Sequence, residues 1–123
     1  MYSNLKHADL THQIINCSYR VHKALGSGFL EKVYHNALAI ELKNSFLDVE
    51  IERPLSVKYR DQVVGEYYAD LVVNNVVIVE IKATEKHSPA YEAQLLNYLK
   101  ATGMEVGLLV NFSSSVTFKR MVF

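Results

Sequence analysis

The fold of this chain is decided by one stretch, Asp70-Leu71-Val72-Val73-Asn74-Asn75-Val76-Val77-Ile78-Val79-Glu80-Ile81-Lys82. Two apolar, β-branched runs flank a polar pair, which predicts two strands joined by a tight turn. Asparagine tolerates the left-handed backbone of such turns, so we place the turn at Asn74-Asn75. Three charged residues, Asp70, Glu80 and Lys82, lie beside these apolar runs. Ionised groups near low dielectric are costly unless they are paired or bind a metal, so these three are the candidate functional residues.

The spacing of the charges limits what they can do together. Residues two apart on a strand share a face, so Glu80 and Lys82 point the same way. A carboxylate that binds a divalent cation, beside an ammonium that binds water or a phosphate oxygen, suits metal-assisted phosphodiester hydrolysis. A Glu-x-Lys pair by itself is more often a solvated or salt-bridged pair, and this alternative stays open at this point.

The contribution of Asp70 depends on the register of the turn. A plain two-residue loop would pair Asp70 with Val79 and place its carboxylate on the opposite face from Glu80. An odd loop length, a β-bulge or a kink at Asp70 would bring the two carboxylates together. We therefore predict such an irregularity between Asp70 and Glu80, because a shared metal site cannot form without it.

Helical periodicity occurs on both sides of this stretch. Apolar residues recur at steps of three and four after Asp9, which we take as the N-cap of a first helix. Ser88-Pro89 is a strong start for a later helix, and Gly103 is its stop. Between them, a second helix is predicted from about Phe29 to Ser45. Its main apolar stripe is Leu30, Val33, Ala37 and Ile40, widened by Tyr34, Leu38 and Leu42.

The strands complete the predicted architecture. Alternation with a period of two begins at Val49. Because proline cannot donate to a central ladder, Pro54 makes this segment either an edge strand or two short pieces joined at a bend. Further strands are predicted at residues 63–73, 76–82, 106–112 and about 116–122. The order α-α-β-β-β-α-β-β predicts an α/β (α+β) fold with a mixed sheet flanked by helices. The strands at 76–82 and 106–112 should be parallel, joined by a right-handed crossover.

Composition narrows the class of protein. The chain has 123 residues, 50% hydrophobic and 21% charged, which fits a single domain over 1–123 and excludes a disordered chain. Its apolar runs are far shorter than the roughly 20 residues of a membrane span. Residues 1–7 carry no apolar core of the signal-peptide type, and the single cysteine, Cys17, cannot form an internal disulfide, so we expect a cytoplasmic protein. The 13 basic and 13 acidic residues exclude a strong overall field for nucleic acid, although a local basic face stays open.

Several motifs occur together in one order. Asp70, then Glu80-Ile81-Lys82, then a helix bearing Gln94-Leu95-Leu96-Asn97-Tyr98, resembles the PD-(D/E)XK nuclease superfamily. More narrowly, Gly28-Phe29-Leu30-Glu31-Lys32-Val33-Tyr34 resembles the signature of the small bacterial GxxExxY proteins within it. The resemblance runs from the first helix to the strand at 106–112, with Ala69 in place of the proline of the superfamily name. It implies a restriction-endonuclease-like core.

The resemblance also implies a metal centre. Asp70 and Glu80 would bind Mg²⁺ or Mn²⁺, with the backbone carbonyl of Ile81 as a further ligand. Lys82 would orient or activate the attacking water and stabilise charge on the phosphate. Glu31 would reach toward the metal or its water.

Three further residues and the substrate follow from the same resemblance. Gln94 and Tyr98, one helical turn apart, would support Lys82 or contact the nucleic-acid backbone. Tyr34 is a weaker candidate for substrate binding, and both tyrosines have the alternative role of core aromatics. The implied activity is phosphodiester hydrolysis, in DNA rather than RNA, with a homodimer or protein partner and no membrane. The alternative is a catalytically idle nuclease fold that serves as a binding or assembly module.

Overall fold

The computed structural model describes residues 6–123, so the expectation about a signal peptide falls largely on residues outside the described part. The predicted element order is confirmed. The three helices are α1 (Ala8–Leu25), α2 (Glu31–Asn44) and α3 (Pro89–Thr102). The five strands are β1 (Val49–Tyr59), β2 (Gln62–Val73), β3 (Val77–Lys82), β4 (Val106–Phe112) and β5 (Val116–Val122). Within residues 6–123, no helix combines the length and apolar character that a membrane crossing requires.

The strands form one mixed sheet in the order β1-β2-β3-β4-β5. β3 and β4 are parallel, as predicted, and α3 makes the crossover between them. The other neighbouring strands are antiparallel. β1 lies at the edge of the sheet, where Pro54 pairs with Tyr68. Proline has no N–H, and at the edge this costs no hydrogen bond in the centre of the sheet.

Both faces of the sheet are covered, and this explains the near-continuous apolar sequence of β3. Val77, Val79 and Ile81 pack in a core with α1 and α2, whereas Ile78 packs in a second core with α3. Helix α3 approaches the sheet closely at Gly107, where an added Cβ would lie 2.8 Å from Leu95 Cδ1.

The buried face of α2 differs from the prediction. Leu30 and Ile40, from the predicted main stripe, are 80% and 62% exposed, whereas Tyr34, Leu38 and Leu42 are fully buried. The two stripes overlap on the helix surface, so periodicity could not decide between them. The Tyr34 ring stacks on Phe112 of β4 with 4.7 Å between centroids, and this contact turns the second stripe toward the sheet.

The start of α1 also differs from the prediction. Helix α1 begins at Ala8, and the residue before it is His7, which caps it without a side-chain hydrogen bond. Asp9 is therefore not the N-cap. It lies in the first turn, where a negative charge interacts favourably with the positive end of the helix dipole.

The turn between β2 and β3 contains three residues. Val73 pairs with Val77, so Asn74, Asn75 and Val76 lie between the strands. Both asparagines are left-handed, with φ of 51° and 57°. The Val76 N–H donates to the Val73 carbonyl oxygen at 3.1 Å. The odd loop length that the sequence required is therefore present.

Candidate metal and catalytic site

Asp70 and Glu80 lie at the point where β2 separates from β3. The last paired residues are Leu71 and Val79, so this register places Asp70 and Glu80 next, opposite each other. Asp70 Oδ2 accepts a hydrogen bond from the Ile81 N–H at 2.8 Å. A side chain thus takes the place of a backbone acceptor, which fixes the carboxylate of Asp70 beside Glu80.

The hairpin of β1 and β2 is kinked at the same level. Leu71 packs in the α1–α2 core, whereas Ala69, two residues earlier, packs in the α3 core. Residues two apart on a regular strand share a face, so β2 exchanges its faces across Asp70. On β1, Glu52 lies between the partners of Leu71 and Ala69, and its φ of 52° is left-handed. The structure therefore has two of the predicted irregularities, a kink at Asp70 and the three-residue loop between β2 and β3.

Glu80 is a buried carboxyl group with incomplete compensation. Its side chain is only 4% exposed, and Oε1 has no hydrogen-bond partner among the described residues. Burial, and then the neighbouring Asp70 carboxylate, raise the pKa of Glu80 to about 10, with Lys82 acting in the opposite direction. A carboxyl group in this position is either protonated or in need of a cation.

Lys82 follows on the same strand, and its ammonium lies over an aromatic ring. Nζ is 4.7 Å from the ring centroid of Tyr91, in the first turn of α3. Among residues 6–123, Lys82 forms no ion pair with a carboxylate within 4.0 Å. Tyr91 belongs to no motif that the sequence predicts. Its place just after the helix start at Ser88-Pro89 is the signal that could have identified it.

Glu31 begins α2 and completes the group. Burial raises the pKa of Glu31, the positive charge of Lys82 opposes this shift, and the negative charge of Asp70 adds to it. Glu31 and Asp70 line the same small cavity of about 150 Å³, together with Lys32, His35 and Glu52. The structure therefore brings Glu31, predicted from a distant helix, into electrostatic contact with the hairpin site.

Comparison with known proteins decides the family. The sequence profile described as the PD-(D/E)XK nuclease superfamily matches residues 8–121, nearly the whole chain. The chain belongs to the PD-(D/E)XK nuclease superfamily. No curated protein sequence gives a significant match.

Two solved structures resemble this chain in fold. The crystal structure of SSO0001 has a TM-score of 0.58 and 22% identity, and the match covers 94% of this chain and 59% of that one. An alkaline exonuclease, LHK-Exo from Laribacter hongkongensis, has a TM-score of 0.57 and 12% identity over 94% of this chain and 69% of that one. The present chain thus spans about three fifths of SSO0001. These similarities confirm the predicted restriction-endonuclease-like fold.

Tyr34 is buried and supports the loop that leads into Glu31. Its hydroxyl donates to the Gly26 carbonyl oxygen at 2.6 Å and accepts from the Phe29 N–H at 3.3 Å. Gly28, inside this loop, has a φ of 104°, which strongly favours glycine. Tyr34 is fully buried and has no free surface for a substrate, so the structure supports its alternative role as a core aromatic.

His35 is a residue of the site that no sequence motif predicted. It is buried, and Nε2 donates to the Asp70 carbonyl oxygen at 3.1 Å. His35 therefore ties α2 to the backbone of Asp70. Its spacing of four residues from Glu31 places both on one face of the helix, and this is the signal that could have found it.

The two residues predicted on α3 are in different environments. Tyr98 is buried against Tyr67, with 5.5 Å between ring centroids, and burial and the charges of Glu80 and Asp70 raise the pKa of Tyr98 to about 12. Gln94 is exposed and lines a groove that also contains Leu96 and Phe123. Within the described residues, no hydrogen bond joins Gln94 to Lys82. The structure thus brings Tyr98 to the carboxylates and leaves Gln94 outside.

Nucleases of this superfamily generally depend on a divalent metal, and the donor atoms of this site fit one. Across residues 6–123, no three His, Cys, Asp or Glu side chains are grouped so that they could hold a metal ion. Mg²⁺ does not require such a group, because it commonly binds one or two carboxylates and keeps several waters. Asp70, Glu80 and the carbonyl of Ile81 supply oxygen atoms of this class. The unpartnered Oε1 of Glu80 is the observation that favours a cation here.

Proposed function

We propose that this chain is a metal-dependent nuclease that hydrolyses phosphodiester bonds. The observation that carries the proposal is the buried carboxyl of Glu80, held beside Asp70 with one oxygen unpartnered and followed two residues later by Lys82. In the proposed site, Asp70, Glu80 and the Ile81 carbonyl would hold Mg²⁺ or Mn²⁺. The bound ion would polarise the scissile phosphate and lower the pKa of water.

The side chains around this centre have separate roles. Lys82 orients the attacking water and offsets the negative charge that builds on the phosphate. Glu31, set by the start of α2, accepts a hydrogen bond from that water. Asp70 is held in place at two points, by the Ile81 N–H on its carboxylate and by His35 on its carbonyl oxygen. Tyr98 packs beside the carboxylates and limits their access to bulk water.

The substrate is proposed to be nucleic acid, and DNA rather than RNA. Superfamily membership supports a nucleic-acid substrate, and one structural neighbour is named an alkaline exonuclease. The preference for DNA rests on the sequence resemblance. Gln94 is exposed, so we retain its proposed contact with the nucleic-acid backbone. Because the net charge of the chain is zero, nucleic acid would be bound through local contacts of this kind.

We propose the GxxExxY group as the finer family assignment. The three residues of the GxxExxY signature act on one loop, the one that leads into α2. Gly28 shapes this loop, the Tyr34 hydroxyl binds its backbone, and Glu31 projects from its end. We further propose one domain over residues 1–123, supported by the continuous sheet. The exposed stripe of Leu30 and Ile40 is the surface on which we place a homodimer or protein partner.

The cytoplasm stays our proposed compartment, supported by the free and buried thiol of Cys17.

Cleavage assays test the proposed activity. Single-stranded and double-stranded DNA and RNA are incubated with the protein and Mg²⁺ or Mn²⁺, and we expect cleavage of DNA. Lys82→Ala and Glu80→Ala should abolish it, whereas Lys23→Ala, an exposed lysine on α1, should not. Activity that survives both site substitutions rejects this site.

The alternative function, an idle nuclease fold that binds a partner, has its own discriminating experiment. Calorimetric titration with Mn²⁺ should show binding to the wild-type protein and none to Asp70→Asn/Glu80→Gln. A stable fold that binds no divalent metal would favour the binding or assembly module.

A further inference from the structure

We propose that Tyr91 is a positioning residue, which holds the Lys82 ammonium apart from the carboxylates and so leaves Glu80 free for the metal. This inference rests on the proposed function. It starts from the position of Nζ, 4.7 Å from the Tyr91 ring centroid and without a carboxylate partner among residues 6–123.

The absence of an ion pair is informative because carboxylates are near. Glu80 lies two residues before Lys82 on the same face of β3, and the charges of both Glu80 and Glu31 interact with the ammonium. A direct Glu80–Lys82 pair would occupy the unpartnered carboxylate oxygen and also withdraw the ammonium from the water. The electron-rich face of an aromatic ring is an alternative partner that attracts the ammonium and leaves the oxygen free.

Tyr91 is held through its backbone and contacts one neighbouring ring. The Tyr91 N–H donates to the Ser88 carbonyl oxygen at 3.0 Å in the first turn of α3. The His87 ring meets the Tyr91 ring edge-on, with 6.3 Å between centroids and an interplanar angle of 88°. His87 Nε2 lies 2.9 Å from Glu92 Oε1, so the histidine is held in turn. These contacts restrain the position of Tyr91 beside the ammonium.

The backbone that follows Lys82 is fixed by the neighbouring strand, β4. Asn111 is the register partner of Lys82 on β4. Its Oδ1 accepts from the Thr84 N–H at 3.0 Å, and its Nδ2 donates to the Thr84 carbonyl oxygen at 2.8 Å. This two-point bond secures the chain just after Lys82, so the side chain is the part that can move.

A cavity gives the ammonium a path to a substrate. Lys82 and Tyr91 line a space of about 380 Å³, together with His87, Asn111, Phe118 and Lys119. Glu85 and Glu92 line the same space, so an anionic phosphate entering it meets Lys82 and Lys119 beside two carboxylates. A rotation of the Lys82 side chain then moves the ammonium from the ring to the phosphate without breaking an ion pair.

The test compares Tyr91→Leu with Tyr91→Phe, which retains the aromatic face. The matched control is Tyr59→Leu, because Tyr59 also lies beneath a cation, Arg60 at 5.4 Å, but at the far end of the β1–β2 hairpin. In the metal-free protein, the ring current should shift the Lys82 ε-methylene proton resonances upfield. We expect this shift in the wild type, Tyr91→Phe and Tyr59→Leu, and its loss in Tyr91→Leu.

Calorimetric titration with Mn²⁺ tests the consequence for the metal. Tyr91→Leu should bind Mn²⁺ about tenfold more weakly, since Lys82 then pairs with Glu80, and the double variant Tyr91→Leu/Lys82→Met should recover wild-type affinity. Tyr91→Phe should also bind as the wild type does. Equal affinity in Tyr91→Leu and wild type, or equal losses in Tyr91→Leu and Tyr91→Phe, would overturn the proposal.

Failure of the proposed function gives a different result. A wild-type protein that cleaves no nucleic acid contradicts the nuclease proposal, whereas the proton shifts and the Mn²⁺ affinities still decide whether Tyr91 holds Lys82 apart. Thermal unfolding of each variant separates a local effect from a loss of folding. If Tyr91→Leu is unfolded, the Lys82 ε-methylene proton shift is compared between Tyr91→Phe and the wild type, with Lys82→Met as the variant that lacks this resonance. An altered proton shift in Tyr91→Phe counts against the proposal.

Discussion

The carboxylate of Asp70 accepts a hydrogen bond from the backbone N–H of Ile81, with 2.8 Å between Oδ2 and N. This bond makes Asp70 a structural residue as well as a proposed metal ligand. It joins the end of β2 to β3 where the backbone ladder has stopped.

Two substitutions of Asp70 should separate these roles. Asp70→Asn retains a side-chain oxygen for the Ile81 N–H, so we expect a stable fold with strongly reduced Mn²⁺ binding. Asp70→Ala leaves that N–H unsatisfied and should lower the free energy of unfolding by about 1–3 kcal/mol. Urea unfolding and calorimetric titration measure the two effects. Equal unfolding free energies for the two variants would contradict the structural role.

Glu80 should make the stability of the metal-free protein depend on pH. Its folded pKa is raised to about 10 from an ordinary value of 4.5, so between these values the folded state retains a proton that the unfolded state has lost. The contribution of Glu80 to the free energy of unfolding should therefore be largest below pH 4.5 and should fall as pH rises toward 10.

Urea unfolding at several pH values checks this prediction. Glu80→Gln should remove most of the decline, whereas Glu66→Gln, an exposed residue on β2, should retain it. Mn²⁺ should stabilise the wild type most at neutral and higher pH, where it replaces the proton. A decline that persists unchanged in Glu80→Gln would refute the assignment to this group.

The hydroxyl of Tyr34 should act on the site through Glu31. Tyr34→Phe keeps the stacking on Phe112 but removes the bonds to Gly26 and Phe29. We expect a loss of about 1–2 kcal/mol in the free energy of unfolding, together with reduced cleavage. Tyr19→Phe, on the exposed side of α1, is the control and should match the wild type. Undiminished stability of Tyr34→Phe would show that the loop holds without the hydroxyl.

The close packing of α3 on the sheet should make Gly107 intolerant of a methyl group. A Cβ at this position would lie 2.8 Å from Leu95 Cδ1 and 2.9 Å from Cγ, and Leu95 is fully buried. Gly107→Ala should lower the free energy of unfolding by about 1–3 kcal/mol. At Gly65, where the nearest atom would be 3.6 Å away, the same change should cost less.

A double substitution identifies the cause of that loss. If the clash with Leu95 is responsible, Gly107→Ala/Leu95→Ala should be less destabilised than the sum of its two single changes. Additive losses would show that the methyl group acts elsewhere.

Local signals in the sequence sufficed for most elements. Ser88 is the N-cap of α3, accepting from the Ala90 N–H at 3.3 Å, and Gly103 ends the helix with a φ of 74°. Of the two alternatives that Pro54 left open, a single edge strand is the one that β1 forms. The shared face of Glu80 and Lys82 followed from the period of a strand. These features depend on backbone chemistry within a few residues, which a sequence contains directly.

The tertiary structure decided what depends on distant neighbours. The sequence required an irregularity between Asp70 and Glu80, but only the fold showed a three-residue loop together with a kink. It also buried Tyr34 rather than Leu30, and brought in His35 and Tyr91. Each of these outcomes depends on which element packs against the residue. A periodic pattern defines one face of a helix or strand but does not specify the element that covers it. Local sequence thus specifies the elements and the charged residues, whereas packing of the helices on the sheet brings those residues into one site.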